Sequence, residues 1–194
     1  MGEVHSGKTL ATLKIFREWR GSSTESIAVL DLAPEKVDRV GGKLPFTEEE
    51  KEGILYLSPR ILPPRLLGKS EEEIRRLAKE NRQRIDEALR TLQSSPASIL
   101  FINDISLYFH AGDGEHLWLS MEKIPTVVMN GYYGRYFGSS PLSQKERAEM
   151  EFLMARCDRV LFLPPFPAGV PPCLPESPDG IRPRGPAGHN QPES

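Results

Sequence analysis

The sequence predicts an α/β domain in which helices flank a mainly parallel β-sheet. Short apolar segments alternate along the chain with longer amphipathic ones, which is the pattern of parallel strands joined by helices. The chain of 194 residues is long enough for one domain, and 38% hydrophobic with 27% charged residues is an ordinary globular composition. The net charge of −2 gives no electrostatic reason to expect nucleic acid or membrane surfaces as partners.

The order of these segments is readable in the first half of the chain. Apolar side chains recur at helical spacing in some segments, and unbroken apolar runs in others have the length of strands. Ser70 with Glu73 has the spacing of a capping box, which begins a helix. The predicted elements are a helix over 9–20, strands over 27–33 and 54–57, and a long helix after Ser70.

The second half continues the alternation and then changes composition. Strands are predicted over 99–102 and 127–129, Ser143 with Glu146 has the spacing of a second capping box, and a last strand is predicted over 159–163. Residues 164–194 are rich in Pro, Gly and Ser and lack apolar periodicity, so a disordered tail is predicted there. Residues 1–163 are then the folded domain.

The most informative segment is GEVHSGKT, Gly2 to Thr9, which fits the pattern G-x-x-x-x-G-K-[ST] at every fixed position. Its two glycines allow a tight turn whose N–H groups point at phosphate oxygens, and the helix that follows adds partial positive charge. Lys8 would reach the β- and γ-phosphates, and Thr9 would hold Mg²⁺ through its hydroxyl. The residues expected to contact the nucleotide are Gly2, Glu3, Val4, His5, Ser6, Gly7, Lys8, Thr9 and Leu10.

These residues resemble the P-loop of the P-loop NTPase superfamily. The resemblance implies a three-layer sandwich, a nucleoside triphosphate such as ATP, and Mg²⁺. In that superfamily the loop follows an interior strand of the sheet, whereas here only Met1 precedes Gly2. We therefore expect the first strand to be missing and the domain to be truncated at its N-terminal end.

A second segment, Ile99 to Asp104 (ILFIND), resembles a Walker B strand, in which an apolar run ends in an acidic pair. The usual pair holds Mg²⁺ and polarises the attacking water. Asn103 takes the first acidic place, so three interpretations of Asp104 remain open. Asp104 is the metal-side residue, or it is a catalytic acid while Asn103 positions water, or it caps the turn after a buried strand.

Asp31 competes for the same catalytic role. It lies inside the apolar run Val29 to Leu32, where a carboxylate is costly to bury unless a cation or a hydrogen-bond donor satisfies it. Because parallel strands deliver their carboxyl ends to the ligand crevice, Asp31 is expected near the phosphates. A structural role in the turn before Pro34 is an equal alternative.

A third polar strand end is Asn130, which follows the predicted strand over 127–129 and resembles a sensor residue that orients water or touches the γ-phosphate. The loop GYYGRYFG at 131–138 comes next, and its Arg135 would neutralise charge that develops during phosphoryl transfer. The structural alternatives are an aromatic loop packed over a sheet edge and a surface arginine.

Three functions from different classes fit these motifs. The first is an ATP-binding, Mg²⁺-dependent phosphohydrolase or phosphotransferase that acts on an unknown small molecule or protein. The second is transfer of an adenosyl group to a corrinoid, because the layout also looks like that of cobalamin adenosyltransferases, although their loop differs. The third is a nucleotide-gated assembly factor. The chain has no N-K-x-D run and no LSGGQ signature, which argues against guanine-specific GTPases and ABC proteins.

The remaining reactive residues carry little information. Cys157 and Cys173 lack a C-x-x-C partner, and the four histidines lack metal-ligand spacing. No signal peptide and no apolar run of about eighteen residues is evident, so we expect a cytoplasmic protein without a membrane-spanning segment.

Overall fold

The computed structural model describes residues 1–35 and 42–164. Its centre is a sheet of four parallel strands in the order β2-β1-β3-β4. The predicted α/β class with a parallel sheet is therefore confirmed. The strands are β1 Ile27–Asp31, β2 Leu55–Leu57, β3 Ile99–Asn103 and β4 Thr126–Met129.

Helices cover both faces of this sheet. Alternate side chains of β1 point to opposite faces: Ala28 and Leu30 join one apolar cluster, and Ile27 and Val29 join the other. The helices are α1 Lys8–Ser22, α2 Glu48–Lys51, α3 Pro64–Leu67, α4 Glu71–Gln93, a 3₁₀ helix Ile105–His110, α5 Gly114–Met121 and α6 Pro141–Met154. The first cluster takes side chains from α4, the 3₁₀ helix, α5 and α6, and the second takes them from α1. The domain therefore has three layers. Among the long helices described, α1 packs on one face of the sheet, and α4 and α6 pack on the other.

Two local predictions are wrong. Ser143 does not cap α6, because Ser140 lies one turn earlier and its side chain accepts the Ser143 N–H at 3.2 Å. The last strand predicted over 159–163 does not form, since Leu163 alone among these residues makes a β-bridge, to Gly2. A ladder needs a partner strand on its pairing side.

Gly2 lies between two segments and pairs with both. It forms parallel bridges to Tyr132 on one side and to Leu163 on the other. The Met1 carbonyl accepts the Leu163 N–H at 2.8 Å, which extends the second contact. The loop at the start of the chain is therefore anchored beside the continuation of β4.

No helix in the described part of the chain has the length and apolar content that crossing a membrane requires. Apart from Pro164, the predicted tail lies outside the described residues, as does the segment 36–41.

Candidate functional site

The segment Gly2 to Thr9 forms a tight loop that leads directly into α1. Gly7 is the N-cap residue of α1 and has a left-handed backbone, φ 78° and ψ 14°. Gly2 has no room for a side chain, because a Cβ there would lie 2.6 Å from the Leu163 carbonyl oxygen. His5 also has positive φ, 60°, which is uncommon for a residue with a side chain. Each fixed glycine of the motif thus has a physical reason. Gly7 has a left-handed backbone, and Gly2 lies too close to the Leu163 carbonyl to carry a side chain.

Lys8 folds back over this loop. Its ammonium donates to the Glu3 carbonyl at 2.6 Å and to the Ser6 hydroxyl at 3.5 Å. Burial lowers the pKa of Lys8, while the charges of Asp104 and Glu3 oppose the shift without outweighing it. An additional anion beside Lys8 would favour its charged form.

Polar side chains from three strand ends meet the start of α1. The Thr9 hydroxyl donates to Asn103 Oδ1 at 3.2 Å, and the Asn130 amide donates to the same oxygen at 3.0 Å and to the Thr12 hydroxyl at 2.8 Å. On its other side the Asn103 amide donates to Asp31 Oδ1 at 2.8 Å. The parallel sheet brings these residues together, because β1, β3 and β4 end at the same edge.

Asp31 is fully buried and its hydrogen-bonding capacity is largely used. Its Oδ1 accepts from Asn103, and its Oδ2 accepts the Leu44 N–H at 2.7 Å and the Tyr56 hydroxyl at 2.9 Å. These donors satisfy the carboxylate in the way that its burial requires. Asp31 holds Asn103 in place from behind the strand ends.

Asp104 lies in a different setting. It has a left-handed backbone, φ 61° and ψ 57°, its N–H donates to Asn130 Oδ1 at 3.1 Å, and its Oδ1 accepts from the Ser106 hydroxyl at 2.6 Å. Burial raises the pKa of Asp104 above its usual range, although the Ser106 hydrogen bond and the charge of Lys8 act in the opposite direction. The charge of Asp104 is therefore electrostatically coupled to Lys8, as is that of Glu3.

Arg135 stands apart from this group. Its backbone N–H donates to Glu3 Oε1 at 2.5 Å, but its guanidinium is exposed and makes no hydrogen bond or ion pair with any described residue. The structure thus brings together Lys8, Thr9, Asp104 and Asn130, with Asp31 behind them. The Arg135 side chain does not join them.

Two residues near this edge were not anticipated from the sequence. The Lys43 ammonium donates to the Asp31 carbonyl at 2.9 Å and to the Pro59 carbonyl at 3.3 Å. Burial lowers the pKa of Lys43, with the charges of Asp31 and Asp104 among the opposing influences. A hydroxyl two residues after an aspartate often hydrogen-bonds to it, so the sequence could have indicated Ser106. The position of Lys43 depends on contacts with Asp31 and Pro59, which are distant in sequence.

The donor set matches Mg²⁺ only in part. Thr9, Asn103 and Asp104 supply oxygen atoms, which Mg²⁺ prefers, yet no group of three His, Cys, Asp or Glu side chains suited to a metal exists in the described ranges. This arrangement fits a Mg²⁺ site in which the protein contributes one or two ligands and the remaining ligands are phosphate oxygens and water molecules. Comparison of the chain with protein-family models, with curated proteins and with solved structures gave no significant match.

Proposed function

We propose that this protein is a P-loop NTPase that binds ATP with Mg²⁺ and hydrolyses it or transfers its γ-phosphoryl group. The observation that carries the proposal is the hydrogen bond from Thr9 to Asn103. It joins the last residue of the GEVHSGKT loop to the end of the strand that resembles Walker B, and these residues are 94 positions apart. A chance sequence match has no reason to place the two motifs in contact.

The position of the loop supports the same proposal. Gly2 lies between two parallel neighbours, Tyr132 and Leu163, and Gly7 begins a helix of 15 residues. Phosphate binding by such a loop requires free N–H groups at a helix N-terminus and a nearby cation. The α1 N-terminus has no side-chain cap, and Lys8 supplies the cation.

Each residue then has a role that follows from its setting. Lys8 would exchange its bond to the Glu3 carbonyl for phosphate oxygens, and the loop N–H groups would bind the same phosphates. The oxygens of Thr9 and Asn103 would hold Mg²⁺, which supplies neutralisation of phosphate charge. Asp104 would accept a proton from the attacking water or hydroxyl, and burial, which raises its pKa, makes it a stronger base than an exposed aspartate.

A nucleotide-gated assembly factor is the second candidate, and one set of contacts favours it. The loop 131–138 is bonded to the nucleotide loop through Glu3 and to Asp104 through Ser106. Nucleotide binding would act on that loop directly. Multiple-turnover phosphate release separates the enzyme from the switch, since a switch needs only a single slow turnover.

The test of the proposal is the affinity for Mg-ATP of the Lys8→Ala variant, measured by isothermal titration. We expect Lys8→Ala to weaken binding by at least about tenfold, because it removes the side-chain cation aimed at the β- and γ-phosphates. Lys14→Ala is the matched control, since it makes the same change on the same helix, and it should bind as the parent does. Equal affinity of a folded Lys8→Ala protein and the parent would end the P-loop assignment.

A further inference from the structure

A cavity of about 530 Å³ lies between the loop at 132–139 and the first two turns of α6. Its size is within the range of small-molecule sites, which is roughly 300–1,000 Å³. The lining combines two tyrosine rings with polar and charged side chains. The residues used in the following argument are Tyr132, Tyr133, Arg135, Glu146 and Arg147.

The lining favours an anion. Arg135 and Arg147 are cations, while Glu146, the one acidic side chain among the described lining residues, is already paired with Arg65. Burial alone would raise the pKa of Glu146, but His110 and Arg65 together outweigh it, so the pKa lies below the usual range and the carboxylate is ionised and matched. Arg147 is partly engaged, since it donates to the Gly134 carbonyl, lies 4.4 Å from the Tyr133 ring centre and lies 3.9 Å from a carboxylate oxygen of Glu151. Arg135 remains as the exposed cation without a described partner.

The loop that lines the cavity is hydrogen-bonded to the GEVHSGKT loop and, through Ser106, to Asp104. The Arg135 N–H donates to the Glu3 carboxylate at 2.5 Å. The Tyr132 N–H donates to the Ser106 hydroxyl at 3.2 Å, and that hydroxyl donates to Asp104 at 2.6 Å. The loop that lines the cavity is therefore in direct contact with Glu3 of the GEVHSGKT loop and with the hydroxyl that donates to Asp104.

We propose that this cavity binds the second substrate of the ATP-dependent reaction, a small organic oxyanion with an apolar or planar body. Arg135 and Arg147 recognise its carboxylate or phosphate group, and the tyrosine rings contact its body. Guanidinium groups suit this role because they bind either oxyanion in a planar, bidentate manner. The role as second substrate rests on the proposed function, whereas anion binding by the cavity does not.

The experiment measures oxyanion binding by ligand-observed NMR titration of the full chain. All variants carry Lys8→Ala, so that a phosphate probe does not report on the nucleotide loop. The probes are phenyl phosphate and benzoate, which distinguish the two oxyanions, with benzyl alcohol as the neutral analogue. Arg135→Gln tests the cavity, and Arg90→Gln, an exposed arginine on α4, is the matched control.

We expect saturable binding of at least one oxyanion, weakened about tenfold by Arg135→Gln and unchanged by Arg90→Gln. Benzyl alcohol should bind more weakly than either anion. Equal affinity with and without Arg135, or equal binding of benzyl alcohol, would overturn the anion site. A failed Mg-ATP titration of the parent protein alongside intact probe binding would instead remove the proposed function and the second-substrate role, and leave the anion site standing.

Discussion

Asp31 and Asp104 occupy neighbouring strand ends, but their surroundings give them different capacities. Asp31 accepts three hydrogen bonds inside the fold, so its carboxylate is occupied. Asp104 accepts one from Ser106, and its backbone is held left-handed by contacts that include Asn130. A residue kept in a sparsely populated conformation costs about 1–3 kcal/mol, and such residues cluster at functional sites. Asp104 is therefore the better candidate for acid–base chemistry.

At this scale we predict that Asp104→Asn retains Mg-ATP binding but lowers the rate of phosphate release by about a hundredfold or more. Asparagine tolerates the left-handed backbone and can still accept from Ser106, so the substitution isolates the loss of charge. Titration and a steady-state phosphate assay are the measurements.

Asp31→Asn serves as the comparison. It should lower the melting temperature, because an amide in that buried position cannot accept all three donors. The assignment of the acid would be wrong if Asp31→Asn abolished turnover with an unchanged melting temperature while Asp104→Asn remained active.

At the scale of elements, α6 is held against the rest of the domain by a buried ion pair. Arg65 of α3 donates to Glu146 of α6, and their side chains are only 13% and 4% exposed. The ring of His110 lies 3.6 Å from the other Glu146 oxygen, which brings the 3₁₀ helix into the same cluster. Since α6 also lines the proposed anion site, this pair fixes one wall of the cavity.

We predict that Glu146→Leu lowers the free energy of unfolding by about 3–5 kcal/mol, because it leaves the Arg65 cation buried without its partner. The double variant Arg65→Met with Glu146→Leu should recover part of that loss, since it removes both charges. Urea denaturation of the three proteins measures the effect. A double variant that is no more stable than the single one would show that packing, rather than the unpaired charge, dominates.

At the scale of the whole molecule, the parallel sheet delivers all the polar strand ends to one edge. The two apolar clusters on its faces hold β1 and β3 at the centre, and α1 then carries Lys8 and Thr9 to that edge. Two charged groups at this edge are buried at a cost in stability. The raised pKa of Asp104 and the lowered pKa of Lys8 both mean that burial disfavours their charged forms.

This argument predicts a pH-dependent difference in stability between Asp104→Asn and the parent. Between the usual aspartate pKa of about 4 and its higher folded pKa, the native state binds more protons at Asp104 than the unfolded state, so stability falls as pH rises. At pH values above the folded pKa of Asp104, its ionised carboxylate destabilises the native state to the full extent. Asp104→Asn should therefore melt at a higher temperature than the parent at pH 7, and the difference should shrink as the pH approaches 4. A lower melting temperature at pH 7, or a difference independent of pH, would contradict the assignment.

Local patterns were sufficient for much of the domain. Apolar runs and helical periodicity predicted the four strands of the sheet and the long helices, because these depend on side chains close in sequence. The start of α6 lies one turn earlier than predicted, because Ser140, which Pro141 follows, caps the helix in place of Ser143. The strand over 159–163 was predicted from its composition, but strand formation depends on a partner distant in sequence.

The sequence by itself determined the α/β class, the glycine positions of the GEVHSGKT loop and the polar residues at the strand ends. Only the tertiary structure decided that the Asp31 carboxylate accepts from Leu44, Tyr56 and Asn103, and that the charge of Asp104 acts on the pKa of Lys8. It also decided that Glu146 is buried against Arg65, 81 residues away, rather than capping its own helix. The physical reason is that secondary structure follows from neighbours along the chain, whereas burial, pKa and hydrogen-bond partners follow from neighbours in space.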